Sequence, residues 1–126
     1  MNKTTLLFVG LIVLVVGGIA FAKINTESTP NPYTGLAQCI ADSGATFFGA
    51  FWCPHCQDQK ALFGNASDLL PYVECSTPDR RGQTQTCIDE GIESYPTWRF
   101  ADGSEMGGRL PREVLAEQTG CELPQV

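Results

Sequence analysis

Cys53-Pro54-His55-Cys56 places two thiols three residues apart, directly after the apolar run Thr46-Phe47-Phe48-Gly49-Ala50-Phe51-Trp52. Residues i and i+3 share one face of a helix, so this spacing brings both Cβ atoms within the narrow range of distance and dihedral that an S–S bond requires. Pro54 fits the first helical position, because its φ is already helical and its missing N–H would have had no partner there. Cys53 is therefore expected at the helix N-terminus, where unpaired amides and the positive end of the macrodipole favour a thiolate. Cys53 is the expected nucleophile and Cys56 the more shielded, resolving sulfur. An imidazole at His55, between the two, further stabilises the thiolate and hence the reduced form, which makes the disulfide a stronger oxidant.

Other chemistries of this spacing fit less well. Covalent haem attachment needs His directly after the second cysteine, where Gln57 stands. A structural zinc site usually takes a second close pair, whereas eleven residues separate Cys75 from Cys87. A plain structural disulfide does not account for the strand-to-helix placement. The non-enzymatic alternative is a metal-handling module with Cys53, His55 and Cys56 as soft ligands for copper(I) or zinc.

The N-terminus sets the expected compartment. Met1 to Lys3 is a short basic start, and Thr4 to Ala22 carries no charge. That length approaches the roughly 20 residues needed to cross the hydrocarbon core, while Ala20-Phe21-Ala22 also matches the small-x-small pattern before a cleavage site. Residues 1–22 thus read as a transmembrane signal anchor or a signal peptide. With Lys3 held inside, the rest of the chain is expected on the extracytoplasmic side, single-pass at the cell membrane, or secreted or periplasmic after cleavage near Ala22. Six cysteines in 126 residues agree with an oxidising compartment. The net charge of −6 argues against a nucleic-acid partner, and Arg80-Arg81 is a lone basic pair in a loop-like stretch.

Residues 23–32 are polar, contain Pro30 and Pro32, and read as a linker. Residues 33–126 make one small domain that disulfides would reinforce. A first helix is expected from Thr34 or Gly35 to Ser43, stopped by Gly44, then a buried strand over Ala45 to Trp52. The thiol-bearing helix carries Ala61, Leu62 and Phe63 inward and breaks near Gly64-Asn65. A second strand over Leu70 to Cys75 and a helix over Thr84 to Glu90 follow. Asp102-Gly103 between Thr97-Trp98-Arg99-Phe100 and Glu105-Met106-Gly107 signals a hairpin, and Pro111 opens a last helix through Thr119, with Val114 and Leu115 inward. The order gives an α/β, three-layer fold with a central mixed β-sheet, preceded by one N-terminal hydrophobic helix.

Trp52-Cys53-Pro54-His55-Cys56, Tyr95-Pro96-Thr97 before the hairpin and this element order resemble the thioredoxin superfamily. The resemblance implies a cis Tyr95-Pro96 bond packed beside the disulfide, with the Tyr95 backbone open to an incoming substrate strand. Gly49 to Lys60, Leu62-Phe63-Gly64, Tyr72-Val73-Glu74-Cys75, Cys87 and Tyr95-Pro96-Thr97-Trp98 look like the thioredoxin-like domain associated with vitamin K epoxide reductase homologues. That family implies a membrane-embedded, quinone-linked oxidase as partner and reduced exported proteins as substrates, with no cofactor of the domain's own. The chain then reads as a thiol:disulfide oxidoreductase that donates disulfides; the alternative is a membrane-fed reductase of the same fold. Many thioredoxins keep a buried acid six residues before the first active cysteine, where Phe47 stands here. Proton transfer must use water or another group, with Glu74 and Lys60 as candidates.

Cys75 and Cys87, at a strand end and in the next helix, are expected to form a structural disulfide worth about 3 kcal/mol on the entropic account. The alternative is a relay with Cys53-Cys56. Cys39 and Cys121 pair by elimination, with intermolecular bonds or free thiols as alternatives. Trp52 and Trp98 both read as packing residues rather than recognition groups, with Trp52 beside the disulfide.

Overall fold

The computed structural model describes residues 2–24 and 30–126, with side chains of the first segment as far as residue 14. The chain divides into two compact units, Met1–Pro30 and Asn31–Val126. The first carries helix α1 (Lys3–Ile24), whose apolar side chains from Leu6 to Leu14 are exposed. Among the described residues no helix is long and apolar enough to cross a membrane. Of the linker read at 23–32, Lys23 and Ile24 are helical, residues 25–29 lie outside the described residues, and Asn31 belongs to the domain. Its side-chain amide donates to the Phe63 carbonyl at 2.8 Å, and its oxygen accepts the Tyr33 N–H at 2.8 Å.

The second unit runs α2 (Thr34–Asp42), β1 (Thr46–Gly49), α3 (Pro54–Ala61), a 3₁₀ turn (Gly64–Leu69), β2 (Tyr72–Glu74), α4 (Gln85–Asp89), β3 (Thr97–Arg99), β4 (Glu105–Gly107) and α5 (Arg112–Thr119). The strand order is β2-β1-β3-β4, with β1 parallel to β2 and antiparallel to β3, and β3 antiparallel to β4. This is a mixed α/β arrangement consistent with a thioredoxin-like fold. Side chains alternate across the pleat. Phe47 and Trp98 face a core built with Leu36, Ile40, Phe63 and Leu115, and Phe48 faces a smaller one with Cys75, Cys87 and Ile92. Helices α2, α3 and α5 thus cover one side of the sheet and α4 the other.

The expected elements form, with shorter strands. The apolar run from Ala45 to Trp52 leaves the sheet at Gly49, because the Ala50 carbonyl accepts the Cys53 N–H at 3.0 Å and turns the chain, which exposes Phe51 and Trp52. The second strand begins at Tyr72 rather than Leu70, since the Leu70 N–H closes the 3₁₀ turn on Ser67. In α3 and after it the inward stripe is Cys56, Gln59 and Phe63; Ala61 is exposed, as the helical period places it off that face. Gly44 and Gly120 end α2 and α5 with φ of 85° and 70°, a conformation that suits glycine.

Two disulfides close the domain. Cys39–Cys121 joins α2 to the chain after α5 across 82 residues, and Cys75–Cys87 joins the end of β2 to α4 across 12. On the loop-entropy account the long closure is worth about 4.5 kcal/mol and the short one about 3 kcal/mol. Replacing Cys39 and Cys121 together by Ser should therefore lower the unfolding free energy in urea more than the same change at Cys75 and Cys87; the reverse order, or a loss below about 1 kcal/mol at Cys39–Cys121, would contradict the closure argument.

Candidate active site

The site is built where β1 hands the chain to α3. Cys53 caps α3 in extended conformation, at φ −77° and ψ 120°, with Pro54 in the first turn. The Cys53 carbonyl accepts the Gln57 N–H at 3.1 Å, so the helix ladder starts at the first cysteine. Gln57 Nε2 reaches back to the Phe51 carbonyl at 2.9 Å and braces the turn before it. Both thiols are free, and Cys53 is 6% and Cys56 1% exposed. The Cys53 thiol points at the Tyr95 carbonyl, 3.8 Å away, and Tyr95-Pro96 is cis. The sequence elements 53–56 and 95–96 thus meet through the return of the chain into β3.

Exposed groups surround Cys53. Pro54 and His55 lie on the outer surface of the first turn of α3. Phe51 and Trp52 are 41% and 40% exposed. Trp52 packs its edge against Tyr95 at 6.3 Å, and its Nε1 donates to Ser76 Oγ at 2.7 Å. Glu74 anchors the same turn from β2: its Oε1 accepts the N–H of Phe51 at 3.2 Å and of Ser76 at 2.8 Å, and its Oε2 accepts the Tyr72 hydroxyl at 2.8 Å. Arg80, at a φ of 63°, carries its guanidinium 5.4 Å from the Phe51 ring centre.

Cys56 lies beneath. A Cβ on Gly49 would stand 2.9 Å from Tyr72 Cε2 and 3.0 Å from Cys56 Sγ. Glycine is therefore required there for the helix to seat its second sulfur against the sheet. Burial pushes the Cys56 thiol up to about 12; a hydrogen bond with the Ala50 backbone opposes it, the neighbouring Cys53 thiol adds to it, and the charge of Lys60 acts weakly against it. Burial and the bond to Glu74 likewise hold the Tyr72 hydroxyl above the usual phenol range. Phe47 stacks on Trp98 at 4.8 Å and 11° and meets Tyr72 edge-on at 5.1 Å, so an aromatic layer fills the space where the resemblance expects an acid.

The other cysteines stay apart from this chemistry. Cys75 and Cys87 are bonded to each other and fully buried. Cys39 and Cys121 are bonded at the far end of α2 and α5. Among the described residues no group of three or more His, Cys, Asp or Glu side chains is placed to hold a metal ion. The sequence reading missed Gly49 and Gln59 and gave Glu74 a different role. An isolated glycine inside an apolar strand was the available signal for the first. Gln59 sits in a polar run and carried none.

No family model matches the chain. A thiol-disulfide oxidoreductase, LTO1, of Arabidopsis thaliana is 39% identical over 116 residues, covering 86% of this chain and 31% of the relative. The chain therefore spans about a third of that protein's length. Mycoredoxin 1 of Corynebacterium glutamicum is 29% identical over 76 residues, which cover 60% of this chain and 92% of the relative. These relatives support a thioredoxin-like protein and an oxidoreductase.

Two outcomes follow. Gly49→Ala forces a methyl into the contact of Tyr72 with Cys56 and should cost about 1–3 kcal/mol in urea unfolding; a variant as stable as the parent would show that the space yields. The raised Cys56 thiol binds its proton more tightly folded than unfolded, so its contribution is present below the ordinary thiol range and lost as pH rises towards 12. In a Cys53→Ser background, the melting temperature should fall more steeply above about pH 8.5 than in Cys53→Ser/Cys56→Ala, and parallel curves would refute the shift.

Proposed function

We propose that the chain is an extracytoplasmic thiol:disulfide oxidoreductase that donates disulfides to exported proteins. The observation that carries this reading is the Cys53-Cys56 pair at the start of α3, with the Cys53 sulfur against the Tyr95 carbonyl and Cys56 buried under Gly49. Cys53 caps the helix beside exposed residues at 6% exposure and Cys56 lies deeper at 1%, an order that suits an attacked and a resolving sulfur. The relatives' names support the reaction class, and the uncharged stretch Thr4 to Ala22 with six cysteines supports export.

In the donating direction, a substrate thiolate attacks Cys53 of the Cys53–Cys56 disulfide. A mixed disulfide forms, and Cys56 leaves as a thiolate that takes up a proton. A second substrate thiolate then attacks the substrate sulfur, forming the product disulfide and releasing Cys53. Two electrons have passed from substrate to protein. The Tyr95 backbone aligns an extended substrate segment beside Cys53, and exposed Phe51 and Trp52 cover its apolar side chains. His55, exposed at the first turn, favours the reduced state and so the donating direction.

The electrons then leave through a membrane-embedded, quinone-linked oxidase, a vitamin K epoxide reductase homologue. Residues 1–22 hold the domain near it as a retained signal anchor, which raises effective concentration without a new contact. This localisation is part of the proposal.

Cys56→Ala in the full chain should accumulate mixed disulfides with exported proteins through Cys53, resolved by dithiothreitol and absent from Cys53→Ala/Cys56→Ala. No adducts would overturn the assigned roles. A glutathione titration should place the pair above about −200 mV; a potential near the roughly −270 mV of thioredoxin would reverse the direction and favour a membrane-fed reductase.

A further inference from the structure

Cys56 must gain or lose a proton in every cycle, yet it is 1% exposed and no carboxylate stands at position 47. The ionisable groups around it come from four places. Cys53 precedes it in the active turn, and Lys60 follows one turn later on α3. From β2, Tyr72 lies against the same point beneath Gly49 and is bonded through its hydroxyl to Glu74. From the 3₁₀ turn, Asp68 lines a cleft of about 290 Å³ with Lys60, Ser67, Leu70 and Tyr72.

Tyr72 therefore has two sides. Its ring edge abuts the point shared with Cys56 Sγ, and its face carries the Lys60 ammonium 3.5 Å from the ring centre. Glu74 is already occupied by three donors, so it holds the active turn in place rather than standing open to a proton. Lys60 is the cation on this side of the thiol, and residues i and i+4 share a helix face. On its other side Lys60 borders the cleft with Ser67 and Asp68, so its ammonium stands where water reaches it.

We propose that Lys60, seated on the Tyr72 ring one turn after Cys56 on α3, is the positioning cation against which Cys56 ionises. The proposal rests on the thiol-exchange reading and adds to it the group that favours the resolving thiolate. When Cys56 resolves a mixed disulfide, its S–H proton passes to water. The thiolate attacks Cys53, the Cys53–Cys56 bond forms, and the bond from Cys53 to the departing thiolate breaks. In the donating direction the same steps run backwards, and Cys56 takes its proton from water.

The test uses an aromatic disulfide reagent whose released thiolate is coloured. Reduced protein releases one equivalent when Cys53 attacks and a second, independent of reagent concentration, when Cys56 resolves the adduct. Lys60→Met should slow the second phase at least about threefold at pH 7, the loss expected when the thiolate fraction falls by half a pH unit. Its pH–rate profile should move to higher pH while the first phase keeps its rate. Lys60→Arg, which keeps the charge, should restore the parent profile. A second phase unchanged in Lys60→Met, or equally slow in Lys60→Arg, overturns the proposal. An unsubstituted protein that gives no second phase overturns the exchange reading itself.

Discussion

Gln59 is the buried amide on which the position of the redox helix depends. It is fully buried, and every polar atom of its side chain is used: Oε1 accepts the Leu110 N–H at 2.7 Å and Trp98 Nε1 at 3.3 Å, and Nε2 donates to the Leu110 carbonyl at 3.0 Å. A buried amide without these partners would cost about 1–3 kcal/mol, so the three bonds leave α3 one rotation about its axis. That rotation puts Cys56, three residues earlier, under Gly49 and Phe63, four residues later, into the core. Trp98 is fixed by the same amide and stacks on Phe47, so the amide also determines what can occupy the floor of the site.

The active turn is held from the opposite direction by Glu74 and Ser76. One carboxylate gathers the Phe51 and Ser76 amides and the Tyr72 hydroxyl, while Ser76 fixes the Trp52 indole. The two exposed aromatic residues are therefore presented on a braced segment. Hydropathy alone would have drawn them inward.

How much of this was readable in the chain depends on whether the signal is local. Pro54 after Cys53, the glycine stops at Gly44 and Gly120, and Asp102-Gly103 act through their own backbone, and each sits where its chemistry requires. Pairings that join distant segments left weaker marks. Gln59 lies in the run Gln57-Asp58-Gln59-Lys60, which looks like a solvated face, and its partners Trp98 and Leu110 are 39 and 51 residues away in sequence. The end of β1 is equally silent, because Ala50, Phe51 and Trp52 are as apolar as the strand before them and only the Cys53-to-Ala50 turn divides them. Ala61 shows the reverse error: an apolar residue beside Leu62 and Phe63 looks like core until the helical phase is set by Cys56 and Gln59.

Cys75–Cys87 gives the domain a kind of redox memory. Thiolate attack on a disulfide needs an approach to one sulfur along the bond, and here both sulfurs are closed in by Phe48, Val73 and Ile92 with no exposed surface. Once the domain has closed over it, the bond lies out of reach of the thiol exchange for which Cys53 and Cys56 are placed. The protein thus holds one cysteine pair that cycles and another that records a single past oxidation. Tyr95 packs against both the core that holds Cys53 and Cys56 and the one that holds Cys75 and Cys87, so the sealed bond helps to shape the wall beside which the active one turns over.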